Sequence, residues 1–444
     1  MKIQKNSANK ISFFTLTLTL LCIHFSASAM EQRCGEGPIV EEYNERIRIR
    51  PQGIVSTDTD NLQWAVNNVI PGGTIELCEG EFYLGEGNER RTVTITQGVK
   101  LTGVKIDGEW LTTIKGGGSA YGLIPDPYIG PFLIDSANDS NAVIFEHIWL
   151  RDWLSEAIFI ESCNGFQLLE SKVTHPVVSG YGYPFGYTNF IHAILARNSE
   201  STGEMIVTDS YADLTWQYGL KPHDTNFVTA FGLPATAFTK IEVSRNTIIS
   251  NDEAIELTAN NAGIPSEVII EDNDITVDFD IEGNWPLHFA LFIAGNENTD
   301  VVSIKNNNLT LSNTSRAGIL DAMGAMILTG ENFDVVNNRF HFNDFDGKAI
   351  QIGNLGNLLL VDFGSSLYNS AFSDNQFSGE MTDIGIDFTG LLSNRSRGNL
   401  FLLGDSLSDV TPNRTIDTFG TRACNNIFEG ELGNTRGNLN RRCR

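Results

Sequence analysis

The chain is short of basic charge: 30 Lys and Arg stand against 55 Asp and Glu, a formal net charge of −25. A field of that sign repels nucleic acid, anionic membrane and polyanionic sugars unless cations bridge the contact, and it favours uptake of divalent ions. Cysteine is also scarce, six in 444 residues, and no pair has the CxxC spacing of a zinc site. A Gly-rich phosphate loop, an HExxH motif and a nucleophile elbow are all missing, so nothing points to the chemistries those motifs carry. Only one long apolar run occurs, Ile11 to Phe25, and it falls short of the roughly 20 residues that span a bilayer. Total charge is low but hydrophobic content reaches 41%, which excludes a disordered polyampholyte.

The apolar run reads as part of an export signal. Lys2, Lys5 and Lys10 precede it, and Ala27-Ser28-Ala29 follows as a small-residue cleavage site. Leu20 and Leu21 before Cys22 do not suit a lipidation site. The expected product is secreted, periplasmic or held at the cell surface, with no membrane insertion, and loss of residues 1–29 takes its formal charge to −28. Export permits disulfides, and proximity in sequence favours Cys424 with Cys443 and Cys34 with Cys78. Cys163 is left over, with no activating base nearby, and is expected to be a buried inert thiol.

From about residue 140 one corner pattern recurs: an apolar residue, two others, Asn or Ser, one other, an apolar residue. The slot falls at Ser171, Ser210, Asn246, Asn273, Asn307, Asn338 and Asn375, with Asn426 as an expected final copy. Successive slots up to Asn375 lie 27 to 39 residues apart, so a fixed corner is joined by loops of variable length. Short β-rich runs such as Ala157 to Ile160, Ala254 to Leu257 and Ala349 to Ile352 lie between corners. Strands stacked on their own successors would pile the Asn residues up, letting the amides hydrogen-bond along the stack while the small polar residue takes the left-handed bend. The fold expected is all-β: a single-stranded right-handed parallel β-helix with three strands per turn and about nine or ten turns. A capping helix starts it near Asp60 or Asn61, with Leu62, Ala65, Val66 and Val69 on one face and Pro71-Gly72-Gly73 as its stop. The boundaries expected are a signal peptide at 1–29, an extension at 30–60, the β-helix at 61–430 and a tail at 431–444. Residues 396–422 fit no definable turn.

The run Leu62 to Leu84, followed by the Asn-cornered repeats, resembles the right-handed parallel β-helix proteins of the pectin-lyase-like superfamily, over about residues 55–430. That resemblance implies fold more than chemistry, since the superfamily includes polysaccharide lyases, glycoside hydrolases, epimerases, adhesins and phage tail proteins. It also implies a saccharide groove whose wall is made by the loops after the third strand of each turn: Thr174 to Asn189, Leu214 to Asn226, Val277 to Leu287 and Ser312 to Gly324. The floor would be the outward side chains of the strand that follows.

Three of those loops are rich in rings: Tyr181, Tyr183 and Tyr187 in one, Trp216 and Tyr218 in the next, Trp285 in another. Such rings either stack on pyranose faces or pack the loops onto the coil. Beside them stand His192, Lys221, His223, Asp224, Asp252, Glu253 and Glu256. Strand alternation turns His192 and Glu256 outward, onto the floor. A His or carboxylate there can move a proton beside a carbonyl, and the acids Asp224, Asp252, Glu253 and Glu256 form a candidate cation set, calcium being the one cofactor expected. The alternative for those acids is an ordinary solvated surface.

Tyr218-Gly-Leu-Lys-Pro-His-Asp224 resembles the Tyr-Gly-Phe-Asp-Pro-His-Glu segment of mannuronan epimerases and related alginate lyases. The resemblance implies Tyr218 and His223 as acid and base and Asp224 as the final acid. Lys221 departs from the pattern, standing where that family has Asp, and would neutralise a substrate carboxylate. The paired-Asp motifs of polygalacturonase-like hydrolases are not found in order. The expectation is a polysaccharide-active protein, foremost a lyase or epimerase on a uronate-containing glycan. The alternatives are a noncatalytic carbohydrate-binding surface or adhesion protein, then a glycoside hydrolase.

Overall fold

The computed structural model describes residues 39–40, 44–86, 89–116, 130–153, 156–176, 190–197, 201–215, 224–231, 238–258, 266–280, 287–296, 299–315, 322–353, 367–388, 395–403, 407, 410, 412–418, 422–430, 432–439 and 442. The expected signal peptide lies outside them. Among the described residues no helix is long and apolar enough to cross a membrane.

The chain winds as a right-handed parallel β-helix, each coil contributing one strand to each of three long sheets. In a middle coil, Lys240–Ser244 lies in sheet A, Thr247–Ser250 in sheet B and Ile255–Thr258 in sheet C. Among the described residues sheet A stacks fourteen strands, the first of them antiparallel, while sheet B has ten parallel ones, so ten coils carry all three strands, in line with the nine or ten expected. The first parallel pair of sheet A joins Arg46–Ile49, ahead of the capping helix in sequence, to Thr74–Leu77, which follows it. The interior is a set of stacked apolar columns. In sheet C, Ile158, Ile194, Val228, Ile255 and Leu291 follow one another in register, all fully buried. Each such side chain contributes about 1.5–3 kcal/mol by leaving water.

The capping helix, α1, spans Val55–Asn68 and buries Leu62, Ala65 and Val66 as the spacing predicts. It starts five or six residues earlier than expected. Asp58, fully buried in the first turn, is the reason: its carboxylate accepts the backbone N–H groups of Gln52, Gly53 and Tyr83 at 2.6, 3.0 and 3.0 Å. An acid at that position suits the helix N-terminus and ties it to the strand Gly80–Glu86.

The corner between sheets A and B is a hydrogen-bonded ladder. Asn246, Asn273, Asn307 and Asn338 each donate Nδ2 to Oδ1 of the next Asn, at 3.1, 2.9, 2.9 and 2.9 Å. The same Oδ1 atoms accept backbone N–H at 3.0 Å. The left-handed bend is taken by the residue before each slot, not by the slot itself: Glu170, Asp209, Arg245, Asp272, Asn306, Asn337 and Asp374 have φ from 43° to 57°. The slot residue must keep its side chain inside, so its exposed neighbour bends instead.

Asn426 is not the last rung of this ladder. It precedes its sheet A strand, Ile427–Gly430, whereas Asn375 follows its own, Ala371–Ser373. Asn426 joins Asn399 and Ser370 in a second, shorter ladder on a different corner: Ser370 N donates to Asn399 Oδ1 at 2.9 Å, and Asn399 Nδ2 to Asn426 Oδ1 at 2.8 Å. The stretch 396–422, which fitted no turn by sequence, holds this rung: Leu400–Leu403 in sheet A and Arg414–Asp417 in sheet C. Among the described residues the last sheet B strand is Gln376–Met381, and the hydrogen-bonded corner at the C-terminal end is the other one.

Candidate functional site

Some connections from sheet B to sheet C are long, as the resemblance implies, at 117–131, 175–189 and 214–223, but others are short, at 251–254 and 346–347; sheet C is the strand set that follows them. Tyr181, Tyr183, Tyr187, Trp216, Tyr218, Lys221, His223 and Trp285 lie outside the described residues. Asp224 opens the strand Asp224–Phe231 in register with Phe190. The remaining candidates, His192, Asp252, Glu253 and Glu256, can be placed.

Sheet C carries a stacked irregularity that decides where they point. Pairing runs Glu156 with His192 and then Ile158 with Ile194, passing over Ala157 and Ala193, and the same step recurs between Phe289–Gly324 and Leu291–Met326. Ala157 and Ile158, Ala193 and Ile194, Ala254 and Ile255, and Ala290 and Leu291 all belong to the interior core. Two consecutive residues thus face inward, and the residue before each pair faces out. The outward column reads Glu156, His192, Asn226, Glu253, Phe289, Gly324 and Lys348, with Glu253 placed by continuing the Val228–Ile255 register.

An imidazole and an amide therefore stand on two successive strands, with a carboxyl on the next coil just ahead of Ile255–Thr258, about 4.8 Å apart per step. Although they face away from the core, His192 is 9%, Asn226 0% and Glu253 2% exposed. These are not solvated surface groups. At Gly324 a Cβ would come within 2.5 Å of the Phe289 ring, so the glycine makes room for that ring on the outer face. One strand further, Lys348 Nζ meets Asp387 Oδ2 at 2.5 Å and Gln351 Oε1 at 2.8 Å.

Asp252 does not join this column. By continued register it stands between Thr225 and His288, whose strand neighbours Ile191 and Met323 are core residues. It is fully buried, with Oδ1 2.9 Å from His288 Nδ1 and its N–H donated to Ser250 Oγ at 3.3 Å. Ser250 Oγ lies 2.6 Å from Thr225 Oγ1, giving a closed polar cluster on the inner side. Glu256 faces out in a second column, between Thr229 and Phe292. Of the expected calcium set, Asp252 therefore faces inward while Glu253 and Glu256 stand in separate outward columns, and the Asp224 side chain lies outside what is described. Among the described residues no three His, Cys, Asp or Glu side chains converge as a cation site, so the placed residues do not fit one.

Asn226, Phe289 and Lys348 escaped the sequence reading. The signal that finds Phe289 and Lys348 is the recurrent small–apolar pair of sheet C, Ala-Ile at 157, 193, 254 and 349 and Ala-Leu at 290, whose preceding residue faces out; Asn226, followed by Phe227-Val228, carries no such pair and is placed only by its register with His192. Cys163 behaves as expected: it is fully buried, and burial pushes its thiol pKa up.

The fold and this buried outward column define a parallel β-helix protein with ionisable groups shielded on the flank of its coil. No protein-family model matches the chain, and no curated protein does. Two solved structures overlap it loosely: a PL6-family polysaccharide lyase from Pseudopedobacter saltans, 10% identical over 86% of this chain and 92% of that one with a TM-score of 0.32, and the ORF18 protein of Geobacillus virus E2, 11% identical over 86% and 60% with a TM-score of 0.33. Overlap this loose says nothing about which residues correspond.

Proposed function

We propose that this is an exported polysaccharide-active protein, acting as a lyase or epimerase on a uronate-containing glycan at the outer face of sheet C. One observation carries the reading: His192, Asn226 and Glu253 share an outward column on successive coils, yet are almost wholly withdrawn from water. Ionisable groups in that situation are where proton transfer is tuned. A uronate has an acidic proton at the carbon beside its carboxylate, and β-elimination and epimerisation both begin by removing it. His192 is the proton acceptor in this reading. Asn226 would donate its amide to the substrate carboxylate and steady the negative charge that develops there, and Glu253, in acid form, would return a proton to the leaving oxygen or to the carbon. Tyr218, Lys221 and His223, a few residues before Asn226 in the chain, keep the roles implied by their resemblance. Tyr181, Tyr183, Tyr187, Trp216 and Trp285 are the proposed sugar-stacking rings. No step is routed through calcium.

Hydrolysis fits less well. It needs two carboxyls facing one another across the sugar, whereas Glu253 and Glu256 lie in separate outward columns of one coil and Asp252 faces inward.

The test is incubation of the full chain, and of His192→Asn, with a panel of polyuronates and neutral glycans, with and without calcium or chelator. New unsaturated-uronate absorbance or changed uronate stereochemistry, lost in the variant, is expected. Glycan binding without any product across the panel would overturn the enzymatic reading in favour of a lectin.

A further inference from the structure

A second site lies on the outer face of sheet B, independent of the chemistry at sheet C. Trp149, Lys172 and Tyr211 are register neighbours on three successive strands, each partly exposed. The Lys172 ammonium sits 4.2 Å from the Trp149 ring centre and 5.5 Å from that of Tyr211. Trp110, from the antiparallel hairpin Lys105–Ile106 and Glu109–Trp110, closes the third side at 5.7 Å. Both indoles are held by their polar edges: Trp149 Nε1 donates to Thr174 Oγ1 at 2.8 Å and Trp110 Nε1 to the Glu170 carbonyl at 2.7 Å. Their orientation is therefore set before any ligand arrives.

Neighbouring cations differ from Lys172. Lys115 and Arg151 share Glu81 at 3.0 and 2.8 Å, and Lys105 meets Glu170 at 3.1 Å. Among the described residues Lys172 is in no ion pair, although the chain carries 55 acids. The same column further along the coil continues as Thr247, Asp274, Asn308 and Arg339, without a ring. Sheet geometry alone therefore does not ask for rings here.

We infer that this face is a binding platform for an acidic polysaccharide. Arg151 also lies over the Trp149 ring at 5.1 Å and Lys105 over Trp110 at 4.7 Å. The part of these rings left exposed takes the C–H face of a pyranose, and an ammonium in no ion pair takes an anionic substituent. Strand stacking spaces Trp149, Lys172 and Tyr211 about 4.8 Å apart along the axis, and the patch is confined to these coils. The anion is a carboxylate or a sulfate ester, both of which Lys172 would accept.

The test is binding of the full chain to a polyuronate, a sulfated glycan and a neutral glucan at low and moderate salt. Wild type should retain at least one acidic glycan about tenfold more tightly than the neutral one, with salt weakening it. Lys172→Met, which keeps the stem against the rings, should remove that preference, while Trp149→Leu weakens binding to every glycan. Thermal unfolding confirms that each variant folds. The polyuronate and sulfated arms identify the anion, whichever is bound more tightly. Equal affinity for acidic and neutral glycans, or Lys172→Met binding like wild type, would overturn the proposal. Product formation at sheet C is read separately, so failure of one site leaves the other standing.

Discussion

The outer faces of sheets B and C are built on the same strand spacing and meet opposite fates. On sheet B most outward residues stay partly or fully exposed, Thr113 and Thr174 being buried exceptions, with rings and cations over the first coils and short polar groups such as Thr247 and Asn308 beyond. On sheet C, Leu195, Phe292 and Ile327 lie outside the interior core yet are 5%, 3% and 0% exposed, and Asp387 among them is 1% exposed. A charged or polar group on the open face keeps its water and serves recognition. The same group on the covered face has lost water and interacts more strongly with whatever is brought beside it.

That contrast is broken most severely at Glu253. Glu253→Gln keeps the volume and removes the proton donor and acceptor, so turnover on a polyuronate should fall about 10²- to 10⁴-fold, equivalent to about 3–5 kcal/mol in the barrier. Retention of the glycan through sheet B should be unchanged. Steady-state kinetics and binding on the same preparation check this, and a variant with full turnover would remove Glu253 from the site.

The next effect concerns the corner on which the register of both faces depends. The Asn307 side chain accepts from the backbone and side-chain N–H of Asn273 and donates to the Ile270 carbonyl and to Asn338, all within 3.0 Å. Asn307→Ala leaves buried partners unsatisfied and should cost about 2–4 kcal/mol. Chemical unfolding measures the loss. Hydrogen exchange should rise first in Asp274–Asp280 and Asn308–Ser315 of sheet B. Uniform loss of protection in all three sheets would show that the ladder stabilises the whole coil and not that face in particular.

How much of this could be read from the sequence follows from what each residue answers to. The Asn corners are legible because a buried side chain with partners above and below admits little but Asn or Ser, and that constraint recurs from Ser171 to Asn375. His192 and Glu256 were oriented correctly because simple alternation holds beside Ile191 and Leu257. It fails a few residues away, where the Ala254-Ile255 pair turns two neighbours inward and so exchanges the directions of Asp252 and Glu253. Asn426 was misassigned because the motif is the same at two corners, and only the strand order tells them apart. The start of α1 was missed because Asp58 acts from inside the first turn and finds Tyr83 only after folding.

The smallest effect belongs to the open face. Burial by itself pushes the Glu81 carboxyl up, but hydrogen bonds from Lys115 and Tyr83 and the Arg151 charge outweigh it, and its pKa lies below the ordinary 4.5. A carboxyl with a depressed folded pKa contributes stability that is present above the unfolded value and lost as pH falls through the folded one. Acidification from neutrality to below that range should therefore remove a contribution that Lys115→Met has already weakened, so that the two chains differ at neutral pH and converge in acid. The side chain is 40% exposed, and pairs so open to solvent contribute no more than about 1 kcal/mol, less in high salt. Thermal unfolding of both chains along a pH series measures it. A difference that persisted in acid would mean that the Lys115 stem over the Tyr83 ring, 4.6 Å from its centre, stabilises this face by packing, and the open face would then resemble the covered one more than its exposure suggests.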